Sequence, residues 1–202
     1  ISAIATSAFS WGSHLNATED NSNGTVSVTT SGVEDGQAVT ITLNGATYTA
    51  NVSSNAATVT ITSSGLQALS EGSETLTADV SDVAGNAAAT VTSSSFTVDT
   101  TVPTISAIAT SAFSWGSHLN ATEDNSNGTV SVTTSGVEDG QAVTITLNGA
   151  TYTANVSSNA ATVTITASGL QALSEGSETL TADVSDVAGN AAATVTSSSF
   201  TV

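Results

Sequence analysis

The sequence contains no cysteine, no lysine and no arginine. Without cysteine the chain can form neither a disulfide nor a thiolate metal site, so cysteine usage says nothing about its redox compartment. Without basic side chains its 17 acidic residues leave a formal net charge of -17. Such a surface repels phosphate backbones and anionic lipid headgroups. We therefore expect no nucleic-acid partner and no direct insertion into a membrane.

Aromatic residues, proline and long apolar runs are also scarce. Aromatic side chains make up 4% of the sequence, and there is a single proline, Pro103. Because interface hot spots are enriched in aromatic residues and arginine, the sequence has few residues of the kinds that dominate binding to a partner. No apolar run approaches the length that crosses a bilayer. The N-terminal residues lack a basic start followed by a long apolar stretch, so no export signal is expected and we interpret the chain as a fragment of a longer protein.

Two histidines, His14 and His118, are the only candidate general bases of the common kind. Each lies in the segment S-H-L-N, where no serine and acid have the spacing of a nucleophilic triad. We therefore expect no enzyme activity and no small-molecule substrate.

The sequence is a tandem repeat with a period of 104 residues. Residues 1–98 match residues 105–202 at every position except one, where Ser63 of the first copy corresponds to Ala167 of the second. A repeat of this size is a whole small domain rather than a solenoid unit. The expected organisation is repeat 1 at 1–98, a linker at 99–104 and repeat 2 at 105–202, and the neighbouring identical repeats are the expected partners of each other.

Alternating apolar and polar residues predict β-strands throughout each repeat. The clearest are T-V-S-V-T-T at 25–30, A-V-T-I-T-L at 38–43 and A-T-V-T-I-T at 57–62, separated by turn signals such as Asn44-Gly45 and Asp35-Gly36. The expected fold is all-β: two tandem immunoglobulin-like Greek-key β-sandwiches of about seven strands each. We predict strands at 2–8, 25–31, 37–43, 46–52, 57–62, 74–81 and 87–98.

The predicted core of the first repeat is small in side-chain volume and short of aromatic residues. Its expected members are Val26, Val28, Val39, Ile41, Val59, Ile61, Leu76, Ala78, Val80, Val91 and Phe96. With little apolar volume, no disulfide and strong self-repulsion, such a repeat should be only marginally stable alone.

The acidic residues fall into loops that a sandwich of this plan brings to its two ends. In the first repeat the second-to-third-strand loop holds Glu34 and Asp35, the last hairpin turn holds Asp82, and Asp79 precedes it. Glu19 and Asp20 are expected at the opposite end, where the chain leaves, together with Glu71 and Glu74. The corresponding residues of the second repeat are Glu138, Asp139, Asp186, Asp183, Glu123 and Asp124.

The linker contributes one more carboxylate, Asp99. The sequence predicts that Asp99 comes between the Glu19-Asp20 pair of the first repeat and the loops of the second that carry Glu138, Asp139 and Asp186. Like charges this close repel by about 1 kcal/mol or more per pair, and no basic side chain offsets them. Flexible oxygen ligands without histidine or thiolate suit Ca²⁺ better than Mg²⁺. The cofactor prediction is therefore Ca²⁺.

An alternative for each acidic pair is an ordinary polar turn, since Asp-Gly and Asn-Gly occur in hairpins of any β protein. The segment from Glu19 to Gly24 begins like a helix-loop-helix calcium loop, but Thr30 stands where the closing glutamate is required. It is therefore not that motif.

The segments L-T-A-D-V-S-D-V-A-G-N (76–86) and F-T-V-D-T-T-V-P-T-I (96–105) resemble the bacterial immunoglobulin-like extender repeats of giant adhesins of the repeats-in-toxin (RTX) type. The resemblance implies calcium-bound sandwiches in long tandem arrays, stiffened at their linkers and displayed extracellularly on the bacterial surface. By motif position it assigns metal binding to Asp82, Asp99, Asp186 and the Glu-Asp pairs at 34 and 138.

The function implied is that of a non-catalytic spacer that projects a distal adhesive or ice-binding domain from the cell. An alternative is that the repeats are themselves an adhesive or ice-binding module, since threonine alternates along several strands. Such alternation is also what any half-buried strand shows.

Overall fold

The computed structural model describes residues 1–202, and the chain divides into two compact units, Ile1–Thr100 and Thr101–Val202. Most of the regular secondary structure in each unit is β-strand, which confirms the all-β prediction. The helical segments are single turns, and no helix could span a membrane.

The first unit contains nine strand segments and one short α-helix. They are β1 (His14–Leu15), β2 (Gly24–Thr29), β3 (Ala38–Leu43), β4 (Ala46–Asn51), β5 (Ala56–Ile61), α1 (Ser63–Leu66), β6 (Gly72–Glu74), β7 (Thr77–Asp79), β8 (Val91–Thr92) and β9 (Phe96–Val98). Two 3₁₀ turns lie at Thr6–Ala8 and Glu19–Asn21.

The second unit repeats this plan, but β10 has no counterpart in the first unit and the counterpart of β1 is the single bridge between His118 and Thr201. Its elements are β10 (Thr104–Ile105), β11 (Gly128–Ser135), β12 (Ala142–Leu147), β13 (Ala150–Asn155), β14 (Ala160–Ile165), α2 (Ala167–Gln171), β15 (Ser177–Glu178), β16 (Thr181–Asp183), β17 (Val195–Thr196) and β18 (Phe200–Thr201), with 3₁₀ turns at Thr110–Ala112 and Glu123–Asn125.

Two layers of strands enclose the core of the first unit. One layer pairs β2 with β5 in antiparallel register. The other contains the four-stranded sheet β4-β3-β7-β8 and the three-stranded sheet β1-β9-β6. Alternate residues of β2, β3 and β5 are buried, so that Val26, Ile41 and Val59 meet in one apolar cluster. This is the expected result of period-2 patterning with one face inward.

The predicted strands at 74–81 and 87–98 are each interrupted. Glu74 pairs with Phe96 and Thr77 with Thr92, so three residues of the last strand stand opposite two of its partner. One extra residue in a ladder makes a β-bulge. Here the Ser93 hydroxyl accepts a hydrogen bond from the Leu76 N–H (3.1 Å), while the Ser93 N–H donates to the Leu76 carbonyl (2.9 Å).

The prediction of a strand at 2–8 is wrong. The segment touches β2 only through single hydrogen bonds and the bridge between Phe9 and Val26, because the 3₁₀ turn at Thr6–Ala8 interrupts it. The N-terminal strand of the unit is instead β1, which pairs in parallel with β9.

The expectation of a core short of aromatics is also wrong. Phe9 and Trp11 stack with ring centroids 5.1 Å apart, and Phe96 meets both edge-on at 5.4 Å. All three are at most 5% exposed. Phe113, Trp115 and Phe200 repeat the arrangement in the second unit. Of the other predicted core residues all are buried except Val91, which is half-buried against the cluster.

The polypeptide chain enters each unit at one end and leaves it at the other. In the first unit the Ser2 N–H donates to the carbonyl of Thr29, at the end of β2. At the opposite end, near Gly24 where β2 begins, the Asp99 N–H donates to the carbonyl of Leu15 (2.9 Å). We call these the N-terminal end and the C-terminal end of a unit.

Candidate metal centre

At the N-terminal end of the first unit, the loop before β3 meets the turn between β7 and β8. A Glu34 carboxylate oxygen accepts a hydrogen bond from the Val83 N–H at 3.0 Å. In the second unit Glu138 accepts one from the Val187 N–H at 2.9 Å. Both glutamates therefore lie against the turn that carries Asp82 or Asp186.

Asp82 builds its own turn. Its two carboxylate oxygens accept from the Asn86 N–H and from the Asn86 side-chain amide, each at 2.7 Å. These bonds favour the ionised carboxylate, so the side-chain amide of Asn86 and then its backbone N–H hold the pKa of Asp82 below its usual value. Asp186 and Asn190 form the same pair of bonds at 2.8 and 2.9 Å.

The neighbouring acidic residues form hydrogen bonds with other segments of the chain. Asp35 accepts a hydrogen bond from the Ser54 N–H at 2.8 Å, which ties it to the turn between β4 and β5, and Asp139 accepts one from Ser158 at 2.7 Å. Asp79 lies on β7, where it accepts a hydrogen bond from the Thr90 hydroxyl. Asp183 accepts from Thr194 in the same way.

At the C-terminal end of the first unit, Glu19 and Asp20 lie in a 3₁₀ turn. The Glu19 carboxylate accepts from the Asn16 N–H at 3.1 Å, and the Asp20 N–H donates to the Asn16 carbonyl. In the second unit Glu123 accepts from Asn120 at 3.0 Å, and Asp124 donates to the same residue.

One further acid belongs to this end and is not among the predicted site residues. The carboxylate of Glu71 accepts from the Thr100 N–H at 3.0 Å and from the Thr100 hydroxyl. Glu71 thus lies beside the segment that follows Asp99. Chain order within the sandwich predicts Glu71 at this end, but the sequence gives no signal of its contact with Thr100, which spans 29 residues.

The carboxylates do not form a cluster of three or more that could hold a metal ion. Glu34 and Asp82 instead accept hydrogen bonds from nearby N–H groups, and Glu34 lies beside the Asp82 turn. The potential metal ligands at both ends are carboxylate oxygen atoms, which suit Ca²⁺. A calcium ion at either end would need backbone carbonyls, amide oxygens or water as further ligands.

The outer face of the four-stranded sheet carries threonine in register. Thr47, Thr42, Thr77 and Thr92 form one row across all four strands. The adjacent row contains Thr49, Thr40 and Asp79, with Thr90 bonded to the last. Asp79 is the only charged side chain in the two rows.

No protein-family model matches the sequence, and no curated protein sequence matches it either. Solved structures do. A Ca²⁺-stabilised adhesin that helps an Antarctic bacterium reach out and bind ice is 30% identical, with a TM-score of 0.54 over 98% of this chain and 48% of that one. This chain therefore spans about half the length of that relative.

Two further structures are similar. A bacterial immunoglobulin-like domain from the M. primoryensis ice-binding adhesin is 30% identical over 50% of this chain and 92% of that domain, with a TM-score of 0.34. Fibronectin(III)-like modules of Clostridium thermocellum CbhA are 14% identical over 94% of this chain and 88% of that one, with a TM-score of 0.55, and show the fold alone. These findings confirm the predicted sandwich fold and the predicted resemblance.

Proposed function

Because this chain belongs to the bacterial immunoglobulin-like repeats of adhesins, we propose that it is a non-catalytic structural spacer. Its repeats extend an adhesin outside the cell and project a distal adhesive or ice-binding domain. The observation that supports this most directly is that each unit receives the chain at one end and releases it at the other.

The strand order supports the same proposal. The backbone runs from Ser2, bonded at the end of β2, to Ser10, whose N–H donates to Thr25 near its beginning. The last strand, β9, runs parallel to β1 and leaves at the C-terminal end. In the second unit the corresponding bonds run from the Ser106 N–H to Thr133 and from the Ser114 N–H to Thr129.

We further propose that Ca²⁺ stiffens the array. The proposal rests on oxygen donors at both ends, on Glu34 lying against the Asp82 turn, and on a sequence without any basic side chain to neutralise them. Asp99 is the proposed ligand of the linker, and Asp186, Glu138 and Asp139 are its proposed companions. Metal binding of this kind contributes directly to folding free energy, so the repeats would be looser where calcium is scarce.

Calcium dependence is tested by melting and small-angle X-ray scattering of the two-repeat chain in calcium, in magnesium and in chelator. The proposal predicts a higher melting temperature and a narrower distribution of shapes in calcium alone. Asp99→Asn should widen the shape distribution while both repeats stay folded, and Ser95→Ala, at an exposed position near the same strand, should not. Identical melts and scattering in calcium and chelator would refute the proposal.

One observation favours a second candidate, in which the repeats themselves bind ice or a sugar. The two threonine rows give the four-stranded sheet a regular, nearly uncharged outer face. Thermal hysteresis and a glycan array, both measured on this chain, separate the candidates. A spacer gives no thermal hysteresis and no specific glycan; a clear signal in either assay would displace the spacer.

A further inference from the structure

A pocket of about 220 Å³ lies at the C-terminal end of the first unit, between the 3₁₀ turn at Glu19–Asn21 and the core. Its apolar wall is formed by Trp11, Leu15 and Leu66, each at most 5% exposed. Its polar side is formed by Glu19, Ser22 and Asn23, with Ser10 and Gly24. The second unit has the corresponding pocket, of about 240 Å³.

The aromatic wall of this pocket is held in a fixed position. Trp11 stacks on Phe9, and Phe96 packs edge-on against it. Gly24 lies directly beside the indole, where an added Cβ would be 2.6 Å from a ring carbon and 3.1 Å from Leu66. Only glycine lets β2 approach the ring so closely, so the pocket is a built feature of the packing rather than a gap between loops.

The pocket combines this indole with a carboxylate that no basic side chain can neutralise. Glu19 is half-buried, and one of its oxygens accepts a hydrogen bond from the Asn16 N–H. The chain contains no lysine or arginine that could pair with it. A carboxylate beside an aromatic ring and two leucines is complementary to a cation that also has an apolar surface.

We propose that each of these pockets binds an organic ammonium group, such as a methylated amine. The indole and the leucines contact the methyl groups, and Glu19, or Glu123 in the second unit, balances the charge. An anion would be repelled by the carboxylate, and a neutral apolar group would leave its negative charge unbalanced. A calcium ion would gain nothing from Trp11, Leu15 and Leu66 and requires six to eight oxygens.

The test uses choline and its neutral isostere 3,3-dimethylbutan-1-ol. The two molecules have the same shape, but the isostere has a carbon atom in place of the positively charged quaternary nitrogen of choline. The only two tryptophans of the chain line the two pockets, so intrinsic fluorescence reports on both. At constant ionic strength choline should produce a saturable change at roughly millimolar concentration, and the isostere should bind at least about tenfold more weakly.

The variants are Glu19→Gln with Glu123→Gln, and, as a matched control, Glu74→Gln with Glu178→Gln. The first pair should weaken choline binding at least about tenfold, and the control pair, with the same change in net charge, should not. Circular dichroism and melting check that both remain folded. Equal binding of choline and isostere, no saturable change, or equal losses in both variants would overturn the proposal.

Calcium separates this proposal from the spacer function. Glu19 and Glu123 are also predicted calcium ligands, so choline is titrated again with excess calcium chloride. Choline binding that persists shows a separate site, whereas complete loss in calcium assigns the carboxylate to the metal and overturns the ammonium proposal. The scattering and melting results for calcium are unaffected by either outcome.

Discussion

Replacing Phe96 by alanine in the first repeat alone should strongly destabilise that repeat. Phe96 is 2% exposed and contacts both Phe9 and Trp11. A buried phenylalanine removes about 150–250 Å² from water, which at about 25 cal/mol per Å² is worth about 4–6 kcal/mol. Measured Phe→Ala costs in cores are about 3–5 kcal/mol. Both figures are a large part of the about 5–15 kcal/mol that stabilises a typical domain.

Scanning calorimetry of the two-repeat chain measures this effect with an internal reference, because the second repeat keeps its own phenylalanine, Phe200, and is unchanged. A loss of about 3 kcal/mol or more lowers the melting temperature of a unit this size by at least about 12 °C. The variant should therefore melt in two steps, with the upper step where the parent's second repeat melts. Thr97→Ala, which truncates the exposed neighbour, is the control and should shift the melt little.

Two results would refute this reasoning. An unchanged melt would mean that the aromatic cluster does not hold the unit together. A single step shifted for both repeats would mean that the two units do not unfold independently, contrary to the predicted division into separate repeats.

Three further predictions concern single positions. Gly65→Ala should destabilise the first repeat by about 1–3 kcal/mol, since the new Cβ would overlap the Tyr48 hydroxyl, and a denaturant melt beside Ser64→Ala would measure it. Ser63→Ala should stabilise the first repeat by a few tenths of a kcal/mol, because alanine favours a helix and α2 of the second repeat begins with Ala167. Hydrogen exchange of the α1 amides should become slower, and an unchanged exchange rate would contradict this prediction. Because the pKa of Asp82 is lowered on folding, its stabilising effect is complete above the unfolded pKa and is lost as pH falls through the folded pKa. Asn86→Ala should raise the pKa of Asp82 and move acid unfolding of this repeat to higher pH, as followed by NMR of the carboxyl carbon in chelator; an unshifted titration would contradict the assignment.

The alternating segments predicted the fold well because each strand has one buried face. The segment at 38–43 became β3 almost residue for residue, with Val39, Ile41 and Leu43 inward. The bulge opposite Leu76 was not predictable, because the sequence Ser93–Ser95 looks like that of an ordinary strand. The bulge depends on the Ser93 hydroxyl, which accepts the hydrogen bond that a backbone carbonyl would accept in a regular ladder. Phe9 and Trp11 were missed as core residues because they lie outside any periodic run.

The acidic site was predictable only to the level of loops. Chain order within a sandwich correctly indicates that the loop of Glu34 lies beside the turn of Asp82. It does not determine side-chain direction, which depends on the nearest available donor. Asp35 follows Glu34 in the sequence, yet it bonds to Ser54 at a different turn.

The parallel pairing of β1 with β9 determines how a unit resists being pulled. The chain reaches β1 from the N-terminal end and leaves β9 at the C-terminal end, so tension drags these two strands in opposite directions along their length. The bonds from Thr97 to Ser13 and from Asp99 to Leu15 lie across that direction and are loaded together in shear, not one after another. A tether made of such repeats should stay extended until both give way at once, which single-molecule force spectroscopy would record as one abrupt rupture per repeat.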